Sequence, residues 1–235
     1  MIEIKKSAWE ESYSRHENFI YYPKEEVVKF INRLIKKKIS TTKYIDILQT
    51  NEERKGLDFG CGIGRNTVLL HEFNINGYGI DISENAINEA RNLAKHFNLD
   101  IGNNFQCYDG ENIPFSDNSF DFTISEAVLD SLPFELAKEL IKEIDRVTKK
   151  YFFMSVISSQ SIDLFSSLNK HKTFSGELEV KEEHEKGTIQ SFFDKDKLAE
   201  LIKATNFKIK WCEIHTNKDC NEKYAYSRYY IVLEK

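Results

Sequence analysis

The stretch Gly56-Leu57-Asp58-Phe59-Gly60-Cys61-Gly62-Ile63-Gly64-Arg65-Asn66-Thr67 constrains this chain more than any other. A short apolar run ends in three glycines spaced two apart, and the apolar segment Val68-Leu69-Leu70 follows. That order predicts a strand, a tight loop and a helix N-terminus. Glycine lets the backbone reach positive φ and lets a ligand approach the main chain without meeting a Cβ. The first N–H groups of a helix lack intrahelical partners and favour polar or anionic ligand groups.

A second apolar run, Ile75 to Ile80, ends at Asp81. It lies roughly 20 residues past the first glycine of the loop, the distance a βαβ unit needs. An acid there can accept hydrogen bonds from both hydroxyls of a ribose. The glycine register then separates cofactor classes. A dinucleotide loop wants G-x-G-x-x-G, but the sixth position is Arg65 counted from Gly60 and Thr67 counted from Gly62. The pattern present is G-x-G-x-G, which speaks against an NAD-dependent oxidoreductase.

With these pieces in place the chain resembles the class I S-adenosylmethionine (SAM)-dependent methyltransferases. The resemblance rests on Leu57 to Gly64, Gly79-Ile80-Asp81-Ile82-Ser83, Asp109-Gly110-Glu111-Asn112-Ile113-Pro114-Phe115, and Ser119-Phe120-Asp121-Phe122-Thr123-Ile124. These occur in the family's order and spacing over about residues 55–150. The resemblance implies an α/β fold: a doubly wound, mostly parallel seven-stranded sheet with one antiparallel strand and helices on both faces.

It also implies a cofactor site. The main chain at Gly60, Gly62 and Gly64 would cradle the amino-acid end of SAM, with Asp58 beside its ammonium. Asp81 would take the ribose hydroxyls and Ile82 the adenine face. Asp109, with Gly110 alongside, would accept from the adenine amino group. Ser125 and Glu126 close the fourth strand and face the crevice where ligands bind in such sheets. Tyr21 and Tyr22, with His16, either close over the cofactor or pack as an aromatic segment.

Methyl transfer from a sulfonium needs a base only when the acceptor must lose a proton. Two candidates stand. Asp130, in Ala127-Val128-Leu129-Asp130-Ser131-Leu132-Pro133, touches the acceptor or caps the next helix. Many relatives carry His-His near here, and this chain departs from that. His184, in Glu183-His184-Glu185, reaches down from an insertion or lies in an exposed charged loop. The remaining histidines carry no signal.

The whole chain bounds these readings. Its 235 residues with 40% hydrophobic content suit one α/β domain, 1–235, with an N-terminal helical extension over 1–50 and a substrate-facing insertion over 158–190. A net charge of −5 advertises no nucleic-acid partner. The four cysteines lack C-x-x-C spacing, which argues against a zinc ribbon and a disulfide framework, and no metal site is expected. Reduced thiols, no signal-like N-terminus and no apolar run near the ~18 residues of a membrane helix point to a cytoplasmic protein without a membrane partner.

The function expected is a SAM-dependent methyltransferase acting on a small molecule, such as a sugar, a nucleotide-sugar or another biosynthetic intermediate. An RNA or protein methyltransferase is the alternative within enzymes. A non-catalytic SAM-binding module is the alternative outside them.

Local patterns complete the expectations. Val27, Ile31, Leu34, Ile35 and Ile39 predict one helix after Pro23, with Lys36-Lys37-Lys38 as its solvated end. A short helix is expected near Tyr44 to Leu48. Ser83 and Asp194 are expected N-caps. Ala86, Ile87, Ala90, Leu93, Ala94 and Phe97 should form one buried helix face. Phe207 to His215 and Tyr224 to Leu233 should be the closing strands.

Overall fold

The computed structural model describes residues 2–50, 52–161, 176–181, 183–218, 220 and 225–235, with side chains from residue 6 onward. Tyr224 and most of the first half of the 158–190 insertion lie outside the described residues.

The chain opens with helices α1 (Ile2–Ser14) and α2 (Glu25–Phe30). Two short strands follow, β1 (Lys36–Lys38) and β2 (Tyr44–Asp46). The alternating core comes next: β3 (Lys55–Phe59), α3 (Arg65–Glu72), β4 (Asn76–Asp81), α4 (Glu84–His96) and β5 (Phe105–Cys107). Strand β6 (Phe120–Glu126) leads through a short helical turn, Leu129–Ser131, to α5 (Phe134–Val147) and β7 (Thr148–Ile157). A small hairpin, β8 (Glu177–Glu179) and β9 (Ile189–Ser191), precedes α6 (Lys195–Lys203). Strands β10 (Lys208–Lys218) and β11 (Ala225–Glu234) close the chain.

Seven of these strands form one sheet in the order β10-β11-β7-β6-β3-β4-β5. Strands β7, β6, β3, β4 and β5 are mutually parallel, while β11 runs antiparallel to both its neighbours, β7 and β10. The fold is therefore the α/β methyltransferase sheet expected from the motifs. β6 is buried along its whole length and β7 from Tyr151 onward, as parallel strands covered on both faces should be.

Each face has its own core. Leu140, Ile141 and Ile144 of α5 and Leu198, Leu201 and Ile202 of α6 pack on Phe152, Met154 and Ile231. On the other face Phe30, Ile31, Ile35 and Leu70 pack on Phe122, Ile124, Phe153 and Val232. Burying one such side chain contributes about 1.5–3 kcal/mol.

The strand order positions the site. The chain leaves β3 toward β4 and β5, then returns to the opposite flank of β3 as β6. A crevice opens beside β3 where the order reverses, outside the carboxyl ends of the strands. Because β11 is reversed, its first residues, not its last, reach this rim.

Several local expectations are corrected. The helix expected over Val27–Ile39 is α2 followed by one wider helical turn, Ile31–Ile35. Lys36–Lys38 then turns to strand and pairs with Tyr44–Asp46, where a second helix was expected. A tight turn decides this: the Ile39 amide donates to the Lys43 carbonyl, and Ser40 Oγ accepts from the Thr42 and Lys43 amides. Phe97 sits at the C-terminal end of α4 and is exposed, because α4 buries only its Ala86-to-Ala94 face. Ser83 and Asp194 do cap their helices, accepting from the Ala86 and Lys197 amides at 3.1 and 2.8 Å. No helix among the described residues is long and apolar enough to cross a membrane.

Candidate functional site

The loop after β3 is held in a shape only glycine takes easily. Gly60, Gly62 and Gly64 have φ of 69°, 52° and 84°. A Cβ on Gly62 would stand 2.6 Å from the Tyr13 hydroxyl. The amides of Gly60 and Cys61 both donate to the Ile80 carbonyl, which ties the loop to the end of β4.

Asp81, at that strand end, is buried. Its carboxylate accepts from the Gly62 amide at 2.9 Å and from the Ser83 amide at 3.0 Å. Burial raises its pKa to about 6, against the opposing pull of those amides. An oxygen holding one amide keeps a further lone pair for a ligand donor.

Asp58 has a different post from the one implied. It lies beneath the loop, 1% exposed, and caps α3 from inside: it accepts from Asn66 Nδ2, the Thr67 amide and Thr67 Oγ1. Burial raises it to about 6 as well. Its hold on Asn66 Nδ2 leaves Asn66 Oδ1 buried with no hydrogen-bond partner among the described residues. Asn66, not Asp58, lines the cavity.

That cavity measures about 390 Å³. Gly60, Gly62, Asp81, Ile82 and Gly110 line it on the β3–β4 side, and Glu126, Asp130, Ile157, Tyr226 and Arg228 on the β6–β11 side. Trp9 and Tyr13 of α1 cover it together with Glu185 and Gln190 of the hairpin. Helix α1 and the turn that follows it are moored at two points. Glu10 accepts from Ser83 Oγ and from the Glu84 and Asn85 amides, capping α4 from outside. Glu17 accepts from the Glu185 amide at 3.0 Å.

The β6–β11 side is built from side chains far apart in the sequence. Arg65, partly exposed, pairs with the buried Glu126. Asp130 is 1% exposed and pairs with Arg228 at 3.0 Å, while its Oδ2 accepts from the Ile157 amide at 2.8 Å. Burial pushes the Asp130 carboxyl up, and Arg228 and that amide oppose the rise. Arg228 also donates to Tyr226 Oη at 2.7 Å and to Ser155 Oγ at 3.2 Å. Between Glu126 and Val128, Ala127 holds φ of 60°, a costly conformation for a residue with a Cβ.

The remaining expected residues lie outside the cavity. Gly64 packs against Ala90 and Phe105. Ser125 is buried within β6. Asp109 is exposed, and its carboxylate accepts from the Glu111 and Asn112 amides, closing its own turn. Those bonds hold its pKa down. Tyr21 and Tyr22 are exposed and, with Phe19, line a separate groove against Leu93, His96 and Phe97. His184 is exposed, its Nε2 3.8 Å from Glu185 Oε1, and the residue lining the cavity is Glu185. Burial raises the Glu185 pKa.

Sequence reasoning passed over Trp9, Tyr13, Asn66, Glu185, Gln190, Tyr226 and Arg228. Only the alternation of Tyr226 and Arg228 along the last strand gave any sign.

Comparison with known proteins agrees with this geometry. A methyltransferase domain family matches residues 57–153. Demethylmenaquinone methyltransferase of Staphylococcus haemolyticus is 31% identical over 169 residues, 65% of this chain and 68% of that one. The 24-methylenesterol C-methyltransferase 2 of Arabidopsis thaliana is 36% identical over 108 residues, 45% of this chain and 29% of that one. This chain spans less than half the length of the first curated relatives it matches. The crystal structure of a SAM-dependent methyltransferase from Methanosarcina mazei superposes with a TM-score of 0.63 at 22% identity, covering 78% of this chain and 93% of that one. The glycine cradle, the acid closing β4 and the bare Asn66 oxygen suit a cofactor with ribose hydroxyls and an ammonium group. With the sheet order and these relatives, they establish that the chain belongs to the SAM-dependent methyltransferases.

Proposed function

We propose that the protein transfers the methyl group of SAM to a small molecule held between Asp130 and the hairpin. The observation that carries this reading is the shared cavity itself. One hollow joins the glycine cradle to a compartment of side chains, and α1 and the hairpin contribute to its lining. Its volume lies in the range of small-molecule sites. The names demethylmenaquinone and 24-methylenesterol C-methyltransferase also carry small acceptors.

SAM supplies an electrophilic methyl group whose leaving sulfur departs neutral. The chain's own contribution is to hold, cover and deprotonate. Asp81 and the Gly62 amide fix the β4 side, and Asn66 Oδ1 receives an ammonium hydrogen. Trp9 and Tyr13 exclude water. With SAM bound there, a lone pair of the acceptor heteroatom would take the methyl group, and the carbon–sulfur pair would leave with sulfur. The acceptor's proton passes to Asp130 Oδ1, neutralising that carboxylate. Holding two reactants in line is worth up to about 7–11 kcal/mol in favourable cases.

Calorimetry with SAM, its demethylated product S-adenosylhomocysteine (SAH) and NAD tests the cofactor half. SAM and SAH should bind and NAD should not; NAD binding without SAM binding would end the reading. A metabolite screen with tritiated SAM tests the acceptor half, and label appearing only in RNA or protein would refute a small acceptor.

A further inference from the structure

Two buried oxygens on the acceptor side have nothing to bind. Asp130 Oδ1 and Gln190 Oε1 are each buried without a hydrogen-bond partner among the described residues. Both residues line the cavity. They belong to neighbouring elements, since β9 packs against the Leu129–Ser131 turn. A buried acceptor left bare costs about 1–3 kcal/mol, so each is a standing demand for a donor hydrogen.

Lys24, exposed, is a further cation in the lining, and the two arginines do not meet that demand. Arg228 is spent on Asp130 Oδ2, Tyr226 Oη and Ser155 Oγ. Arg65 is spent on Glu126 and the Tyr22 carbonyl. Glu185 adds a further carboxylate to the same wall. A carboxylate or phosphate here would stand against the carboxylates of Asp130 and Glu185. A hydroxyl brings one hydrogen for two waiting oxygens, whereas an amino nitrogen brings two.

We infer that this compartment selects an acceptor bearing an amino group, with Asp130 Oδ1 and Gln190 Oε1 as the pair that receives its hydrogens. Resting on the methyltransferase reading above, this makes the reaction an N-methylation. One N–H goes to Asp130, which takes the proton as the nitrogen lone pair forms the new carbon–nitrogen bond. The other N–H stays on Gln190, which positions the nitrogen without changing protonation.

The test is ligand-observed NMR on the full chain loaded with SAH, using aniline, phenol as the alcohol, benzoate and phenyl phosphate as matched probes; aniline is a neutral amine with two N–H groups at neutral pH. Aniline should bind about tenfold tighter than the others, the worth of one added hydrogen bond. Gln190→Leu should erase most of that preference with SAH affinity kept. Asp130→Asn should do the same, and Gln190→Leu, which leaves the Arg228 pair intact, serves if the Asn variant fails to fold. Equal or tighter binding of the alcohol or either acid, no binding of the amine, or a preference unmoved in Gln190→Leu overturns the inference alone. Failure of the wild type to bind SAH overturns the methyltransferase reading together with it.

Discussion

The two halves of the cavity are made by different means. On the β3–β4 side, charged groups are satisfied by neighbours close in sequence or by the main chain. Asp58 is met by Asn66 and Thr67, and Asp81 by the amides of Gly62 and Ser83. On the β6–β11 side the partners come from afar: Asp130 with Arg228, Glu126 with Arg65 and Ser155. A wall of backbone is hard to vary without losing the fold. A wall of side chains on separate elements changes by single substitutions. One half therefore suits a ligand common to a family, and the other a ligand particular to one member.

The hardest blow to this contrast is Gly62→Val. The valine would need φ near 52° and would meet the Tyr13 hydroxyl, so SAM binding by calorimetry should vanish. Normal affinity would show that backbone shape does not govern that half. On the other side, Asp130→Asn should lower turnover by about 10²–10⁴-fold, the usual worth of a placed base, with SAH affinity unchanged. A parallel loss of SAH affinity would merge the two halves into one.

Smaller effects sharpen the picture. Asp81→Ala should weaken SAM binding by about 1–3 kcal/mol. Ligand hydroxyls favour the ionised carboxylate, so binding lowers the Asp81 pKa below its free value of about 6. SAM affinity should then fall as pH drops through 6, by at most about tenfold per unit for one proton. Asp58 also stands at about 6 but caps α3, so Asp81→Asn should flatten the affinity profile if Asp81 is responsible. Asn66→Ala should cost about 0.5–1.5 kcal/mol in SAM affinity and nothing for 5′-methylthioadenosine, which lacks the ammonium.

What could be read beforehand follows the same division. The glycine loop and Asp81 were legible because contiguous residues determine backbone, and backbone determines that half; the seven-stranded sheet came only through the resemblance those motifs carry. The misplacements are local. Asp109 was expected at the adenine, but it lies two residues past β5, and the following Gly110-Glu111-Asn112 lets its carboxylate fold into its own turn. Asp58 sat at the right strand end yet faces a helix start. In Glu183-His184-Glu185 no periodicity says which side chain turns inward, and the structure turns in Glu185. Tyr226 and Arg228 were visible as one face of a strand. That this face begins at the crevice depends on β11 being reversed, a long-range fact.

Helix α1 holds one further consequence. Glu10 fastens it to α4 over the nucleoside side, and Glu17, in the turn after it and bonded to Ser12, fastens that end to the hairpin over the acceptor side. A single bolt thus secures two doors. Neither reactant can be exchanged freely while the other door stays shut, so departure of both products is ganged to one unfastening. Loosening either end, by Glu10→Gln or Glu17→Gln, should hasten the release of SAH in stopped-flow.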